Sequence, residues 1–255
     1  MPTAPSRPPR VLAHRGLATE TLENSLAAFR AAAALGVEVI ETDAHETADG
    51  VAVLWHDPDL RRFNGHPTRV RDLTWLELSE LEADGERIPS LAEALYALPN
   101  ARFNIDLKTW DVVEPVLSAI RAAGAIERVR LASFSNRRRL RARALLPGVA
   151  TSPGMSAVLL LVLSRSLPRR FRNALWRRAL AGADAIQVPE RGYGIHIVTE
   201  AMIRTAHELG VELHVWTVNA PGDIRRLLAL GVDGIVTDRS DIACAVVAGW
   251  GSPQL

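Results

Sequence analysis

One lysine, Lys108, stands in a chain that otherwise uses arginine for every fixed side-chain cation. It ends the segment Phe103-Asn104-Ile105-Asp106-Leu107-Lys108. A compact ammonium is not interchangeable with arginine's planar fork, so a lone lysine in this setting marks a place that needs a point charge. Asp106 lies two residues earlier, and on a strand both side chains leave the same face. Upstream stand His14-Arg15-Gly16, Glu41-Thr42-Asp43 and His56-Asp57. Carboxylates, imidazoles and fixed cations are the parts required for metal-assisted chemistry on a phosphate.

Each group has a role to fill. Glu41 and Asp43, two apart on one strand, with Asp106 from the next, offer three hard oxygen donors suited to Ca²⁺ or Mg²⁺. The competing arrangement is an inert ion network with Arg15 or Lys108, but inward carboxylates clustered without a cation would repel one another. His14 and His56 can serve as general acid and general base on either side of a reacting centre. Arg15 and Lys108 are the natural partners of a phosphate. Trp216 offers an apolar wall for a small alcohol or glycerol backbone, or else packs in the core.

The elements that must position these residues alternate between strand and helix from end to end. Expected strands cover Val11–Ala13, Val37–Asp43, Arg102–Lys108, Val129–Ser133, Val149–Ser152, Ala185–Val188, Glu212–Val218 and Gly234–Thr237, each followed by a helical pattern. Asn24 or Ser25 is the expected N-cap of the first helix and Gly36 its stop. Val51–Trp55 reads as a hairpin partner after the Asp49-Gly50 turn. One long helical region is expected to run to Leu180.

Residues 58–89 interrupt the rhythm and read as an insertion capping one end of a single domain over residues 1–255. Eight βα units predict a (β/α)8 TIM barrel, with the active site where the strands end. An open doubly wound sheet is the alternative, but no glycine-rich phosphate fingerprint follows the first strand. His14, Glu41, Asp43, Asp106, Lys108, Trp216 and Asp238 all fall at expected strand ends, and His56 ends the hairpin strand.

Bulk properties bound the possibilities. A net charge of +1 argues against nucleic acid as a bulk electrostatic partner. The single Cys244 excludes an intrachain disulfide framework. Residues 1–10 lack an apolar targeting core and read as a disordered lead-in, and no run reaches the roughly 18 apolar residues of a membrane span. A soluble, cytoplasmic protein is therefore expected. Within residues 155–180, the run Ala157–Leu163 stands beside Arg165, Arg169, Arg170, Arg172, Arg177 and Arg178, with Phe171 and Trp176 interleaved. Such a pattern fits either a peripheral membrane contact or an ordinary barrel helix with a basic face.

The series His14-Arg15-Gly16, Glu23-Asn24-Ser25, Glu41-x-Asp43, Asp49-Gly50, His56-Asp57, Ile88-Pro89-Ser90-Leu91, Asp106-x-Lys108, Trp216-Thr217-Val218-Asn219 and Thr237-Asp238 resembles the glycerophosphodiester phosphodiesterases. The resemblance spans about residues 11–240. It implies a barrel with a small insertion after the second strand, and metal-dependent cleavage of glycerophosphodiesters to glycerol 3-phosphate and an alcohol. It also implies that His14 and His56 are the acid–base pair and that Glu41, Asp43 and Asp106 hold the metal. Two positions depart from the family pattern. Asp106 stands where the family usually has Glu, one methylene longer, and Leu22 stands where Pro usually precedes the Glu-Asn pair.

Two other functions fit the residues. One keeps the chemistry but takes lysophospholipids, with the 155–180 segment at a membrane surface; the other is a non-catalytic phosphate- or lipid-binding barrel. Which histidine is acid, whether water or a substrate hydroxyl attacks, and the oligomeric state are left open by the residues themselves.

Overall fold

A computed structural model describes residues 8–192 and 194–250. Its strands are β1 (Arg10–His14), β2 (Val39–Glu46), β3 (Ala52–Leu54), β4 (Arg102–Leu107), β5 (Val129–Ala132), β6 (Ala150–Thr151), β7 (Ala185–Pro189), β8 (Arg191–Gly192), β9 (Ile195–His196), β10 (Glu212–Trp216) and β11 (Gly234–Thr237). Its α-helices are α1 (Leu26–Ala34), α2 (Arg61–Asn64), α3 (Trp75–Ser79), α4 (Leu91–Ala97), α5 (Val113–Ala122), α6 (Asn136–Leu145), α7 (Met155–Leu163), α8 (Arg169–Ala179), α9 (Glu200–Glu208), α10 (Pro221–Leu230) and α11 (Ser240–Ala248).

Eight of the strands pair in the order β6-β5-β4-β2-β1-β11-β10-β7, every neighbouring pair parallel. This is the expected (β/α)8 barrel. Between β6 and β7 the ladder thins to a backbone hydrogen bond from the Asp184 amide to the Thr151 carbonyl, 3.1 Å. Thr151 Oγ1 donates to the Gly182 carbonyl on the same seam.

Side-chain alternation builds the layers. Ala13, Ile40, Phe103 and Ile105 face outward against the helices, whereas Leu12, Val39 and Val236 fill the barrel interior beneath Trp216. Helix starts are set by short polar caps. Ser25 accepts from the Ala28 amide, while Thr74 and Ser90 each close a capping box with a glutamate three residues on.

The hairpin partner is confirmed: β3 pairs antiparallel with β2. The following insertion has its own small core of Trp55, Leu60, Phe63, Val70, Leu78 and Ile88. Two expectations are corrected. The second strand runs on to Glu46, so His45 and Glu46 belong to it. The long helical region is two helices, α7 and α8, because Pro168 lacks the amide a continuous helix needs and Ser164 Oγ donates back to the Leu160 carbonyl. A two-stranded ribbon, β8–β9, was not expected. Of the disordered lead-in expected over residues 1–10, residues 1–7 lie outside the described residues, and Arg10 opens β1.

Candidate active site

Strand register sets the polar residues side by side. His14 on β1 is paired with Glu41 on β2, Glu41 with Asn104 on β4, and Asp43 with Asp106. Neighbouring strands lie about 4.8 Å apart, so these five inward side chains are packed into one patch at the C-terminal strand ends. His14, Arg15, Glu41, Asp43, His56, Asp106, Lys108 and Trp216 all line a single cavity of about 390 Å³. Every residue singled out from the sequence for catalysis, metal or substrate is in that wall.

Both imidazoles are tethered through Nδ1. His14 Nδ1 lies 2.6 Å from Asp238 Oδ1, and His56 Nδ1 lies 2.7 Å from Asp57 Oδ1. A carboxylate on Nδ1 fixes ring orientation and leaves Nε2 as the nitrogen that can exchange a proton with a ligand. Burial opposes protonation of His14, but the bond to Asp238 and the charge of Glu41 outweigh it and raise the imidazole above its ordinary value. Asp57 is held in turn by Arg62 Nε at 2.7 Å, and Asp238 by Asn219 Nδ2 at 2.7 Å.

The carboxylates and cations are interleaved. Lys108 Nζ bridges Asp43 Oδ1 at 2.7 Å and Asp106 Oδ2 at 2.8 Å. Arg15 Nε is 3.0 Å from Asp43 Oδ2, a charge contact whose angle falls short of a hydrogen bond. Burial pushes Asp43 up, but Lys108 and Arg15 outweigh it and keep its carboxyl below the usual range. Asp106 goes the other way, raised by burial despite Lys108. Burial also resists the Lys108 charge, and Asp106 and Asp43 overcome that and raise its pKa.

Among the described residues, no arginine or lysine side chain pairs with Glu41. Its Oε2 meets the Arg15 amide at 3.3 Å and sits 3.9 Å from His14 Nε2. Burial first, and then repulsion from Asp43, push it up to about 8. Beside it, Asn104 Oδ1 is buried without a hydrogen-bond partner. A poorly neutralised carboxylate next to an orphaned carbonyl oxygen is the environment a hard cation would complete, so the donor set fits Ca²⁺ or Mg²⁺. Among the described residues, no three acidic or imidazole side chains already converge as a ready-made ligand set. Lys108 stands between two of the carboxylates.

The Glu23-Asn24-Ser25 run explains itself in three dimensions. Glu23 Oε1 accepts from Arg15 at 2.8 Å and from Arg62 at 2.6 Å, tying the β1 turn to the insertion. Asn24 adopts a left-handed φ of 59°, which Asn tolerates better than most residues, and its Nδ2 donates to Asp43 Oδ2 at 3.1 Å. Ser25 caps α1. Arg15 itself has φ 58°, at a backbone cost of about 1–2 kcal/mol. The conformation is held by bonds from its amide to the Glu41 carbonyl and from the Asn24 amide to its own carbonyl. Gly16 follows at φ 86°, where a Cβ would sit 2.7 Å from the Ala28 backbone.

The far side of the cavity is apolar. Met155, Val158, Leu159 and Val162 of α7, with Ile195, Ile197 and Phe134, face the polar cluster. Trp216 packs on Leu12, Val39 and Val236, the expected core placement, and its exposed edge lines the cavity, where it meets Phe134 edge-on at 6.1 Å between centroids.

His45 and His214 do not line the cavity. His45 is buried and kept below the usual imidazole value by that burial; its Nε2 lies 3.2 Å from the His56 carbonyl oxygen, so it supports the segment carrying His56. His214 is fully buried deeper in the barrel, against Glu212. Sequence reasoning missed the service roles of Glu23, Asn24, Asp57, Asn104 and Asp238. The two-residue spacing of Asn104 and Asp106 was a usable signal for Asn104; Asp238 stood at an expected strand end, but its partner His14 lies 224 residues away and could not be paired with it from the sequence.

Fold and site define a (β/α)8-barrel enzyme whose polar centre lies at the C-terminal ends of its strands. Residues 14–242 match the glycerophosphoryl diester phosphodiesterase family, and the chain belongs to it: it is a phosphoric diester hydrolase. Among its relatives is the Mycobacterium tuberculosis protein named "Probable glycerophosphodiester phosphodiesterase 2", 41% identical over 234 residues that cover 91% of this chain and 88% of that one. A solved glycerophosphodiester phosphodiesterase from Agrobacterium tumefaciens superposes with a TM-score of 0.73 at 25% identity, covering 93% of this chain and 99% of its own. The fold is also that of an Oleispira antarctica phosphodiesterase solved with the product sn-glycerol-3-phosphate, TM-score 0.76 and 19% identity, over 94% of this chain and 97% of that one.

Proposed function

We propose that the protein hydrolyses glycerophosphodiesters to glycerol 3-phosphate and an alcohol, using one divalent cation, Ca²⁺ or Mg²⁺, with His14 and His56 as the acid–base pair. The observation that carries this is that two carboxylate-tethered imidazoles line one cavity together with Glu41, Asp43 and Asp106. The 41%-identical relative's name and the product held by the Oleispira enzyme point to the same substrate class.

Glu41, Asp43 and Asp106 would hold the cation, which when bound supplies charge neutralisation at a phosphodiester oxygen. Arg15 and Lys108, fixed by Glu23, Asp43 and Asp106, orient the phosphate and offset the charge that grows on it. Asp238 stabilises the protonated form of His14, which suits that imidazole to protonate the leaving alkoxide from Nε2. In the same displacement His56, oriented by Asp57, takes a proton from the nucleophile at its own Nε2: attack by water gives glycerol 3-phosphate directly, whereas attack by the neighbouring glycerol hydroxyl gives a cyclic phosphate that a water then opens.

Release of glycerol 3-phosphate from a glycerophosphodiester is expected to stop on exhaustive chelation and to return with Ca²⁺ or Mg²⁺. The chelated protein should also melt several degrees higher when the cation is restored. Turnover unaffected by chelation would overturn the metal role.

The apolar wall of α7 and Trp216 favours a second substrate class, lysophospholipids cleaved in a lysophospholipase D-like reaction. A panel of glycerophosphodiesters and lysolipids, assayed with each cation in turn, separates the two by relative kcat/KM.

A further inference from the structure

Thirteen arginines and no aspartate or glutamate occur between residues 128 and 183. The remaining residues carry seventeen basic against twenty-nine acidic side chains, so a chain of net charge +1 is strongly polarised. In the same stretch, α7, the turn after it and the start of α8 expose six large apolar side chains: Met155, Leu159, Leu160, Leu163, Leu167 and Phe171. Leu163 is 68% exposed, Leu159 55% and Phe171 54%. The apolar run of α7 is thus split: Ala157, Val158 and Leu161 face the core, while Leu159, Leu160 and Leu163 face outward.

Arginines frame this surface. Arg165 reaches the His196 carbonyl in β9, and Arg170 lies over the Phe171 ring, 4.6 Å from its centroid. Arg169 is partly neutralised by Glu208 at 3.0 Å. The apolar rim runs without a break into the catalytic cavity, because Phe134, Met155, Leu159 and Ile195 belong both to the cavity wall and to the exposed apolar set.

We infer that this surface docks the enzyme on an anionic lipid–water interface. Leu160, Leu163, Leu167 and Phe171 enter the headgroup region, and Arg165 and Arg170 meet lipid phosphates. Exposed leucines ringed by arginines match the pattern of interfacial helices. A second copy of the chain is the poorer occupant, since a twofold contact would press this arginine-rich face, with Glu208 at its edge, against itself. A polyanion with no apolar phase would leave the leucines unburied. Docked in this way, the cavity opens onto the lipid surface, and an amphiphilic phosphodiester can enter headgroup first along the α7 wall. This last step rests on the phosphodiesterase reading; the docking itself does not.

Vesicle flotation of the full chain tests it. Vesicles containing phosphatidylglycerol should retain the protein at least about ten-fold better than pure phosphatidylcholine, and added salt should weaken retention. The double variant Leu160→Ser/Leu163→Ser and the double variant Arg165→Glu/Arg170→Glu, none of whose residues lines the cavity, should each lose retention by about ten-fold. Both should keep wild-type turnover of a water-soluble glycerophosphodiester, which also reports that they are folded. Equal retention of wild type and both variants, or none by the wild type, overturns the inference. So does a wild-type dimer in light scattering that the leucine variant dissociates without any vesicle binding. Wild-type flotation without hydrolysis of any diester would sink the catalytic reading and leave the docking surface standing.

Discussion

At the residue scale, the active-site cavity is a set of charges that would be costly singly and are tolerable together. Asp43 is the hub: Lys108, Arg15 and Asn24 all converge on its two oxygens. The two histidines are the only imidazoles lining the cavity among the described residues, and each depends on a carboxylate to keep its ring aimed. His14→Ala and His56→Ala should each lower kcat by roughly 10²–10⁴-fold in protein of unchanged circular dichroism. Near-normal rates in either variant would refute that residue's role. Asp238→Asn keeps the shape but loses the charge on His14 Nδ1, so a fall in kcat of about ten-fold or more with KM little changed is expected. A KM effect alone would instead make Asp238 part of substrate binding.

At the scale of elements, α7 is the piece whose placement matters most. Its outer face is exposed and its inner face is a cavity wall, and Gly154 at its N-cap lets it sit close to the α6 start. A Cβ there would fall 2.4 Å from the Asn136 amide nitrogen. Since that neighbour is backbone, Gly154→Ala must displace α7 or α6, costing about 1–3 kcal/mol. Thermal melting should register the loss, and activity on a lysolipid should drop more than activity on a small glycerophosphodiester. Equal losses on both substrates would show that α7 does not form the wall for the alcohol moiety.

Across the whole molecule, the end of the barrel opposite the cavity is tied by ions where the strand ladder is thinnest. Arg130 from β5 grips Asp184, just before β7, with three bonds of 2.7–3.1 Å. Glu212 on β10 gathers Arg130 at 3.6 Å, Arg10 of β1 at 3.2 Å and His214 at 3.0 Å. Burial alone would raise Glu212, but His214, Arg10 and Arg130 bring it down to about 2. Burial holds His214 below its ordinary 6.5.

A depressed imidazole stabilises the fold fully above 6.5, and that contribution is lost as pH falls below it. A depressed carboxylate likewise loses its contribution on going down from 4.5 toward 2. Glu41, raised to about 8, acts with the opposite sign, so the comparison must cancel it. His214→Gln does so: the wild-type advantage in Tm over this variant should shrink as pH is lowered from neutrality to about 5. At this chain length about 2–4 °C corresponds to each kcal/mol. A constant difference across that range would mean His214 is not held neutral by the fold.

The barrel and the inventory of its mouth can be read along the chain. Period-two and helical patterns set eight βα units, and a carboxylate or imidazole at a strand end has only one place to go in a closed parallel barrel. His14, His56, Glu41, Asp43, Asp106, Arg15, Lys108 and Trp216 were legible for that reason. Which group pairs with which depends on how the strands close in space. Asp238 lies over two hundred residues from His14, and its bond exists because β11 closes on β1. The split of the run at 157–163 into a core face, a cavity face and an exposed face was likewise undecidable locally. All its residues are apolar, and hydrophobicity records that a side chain seeks burial without recording against what.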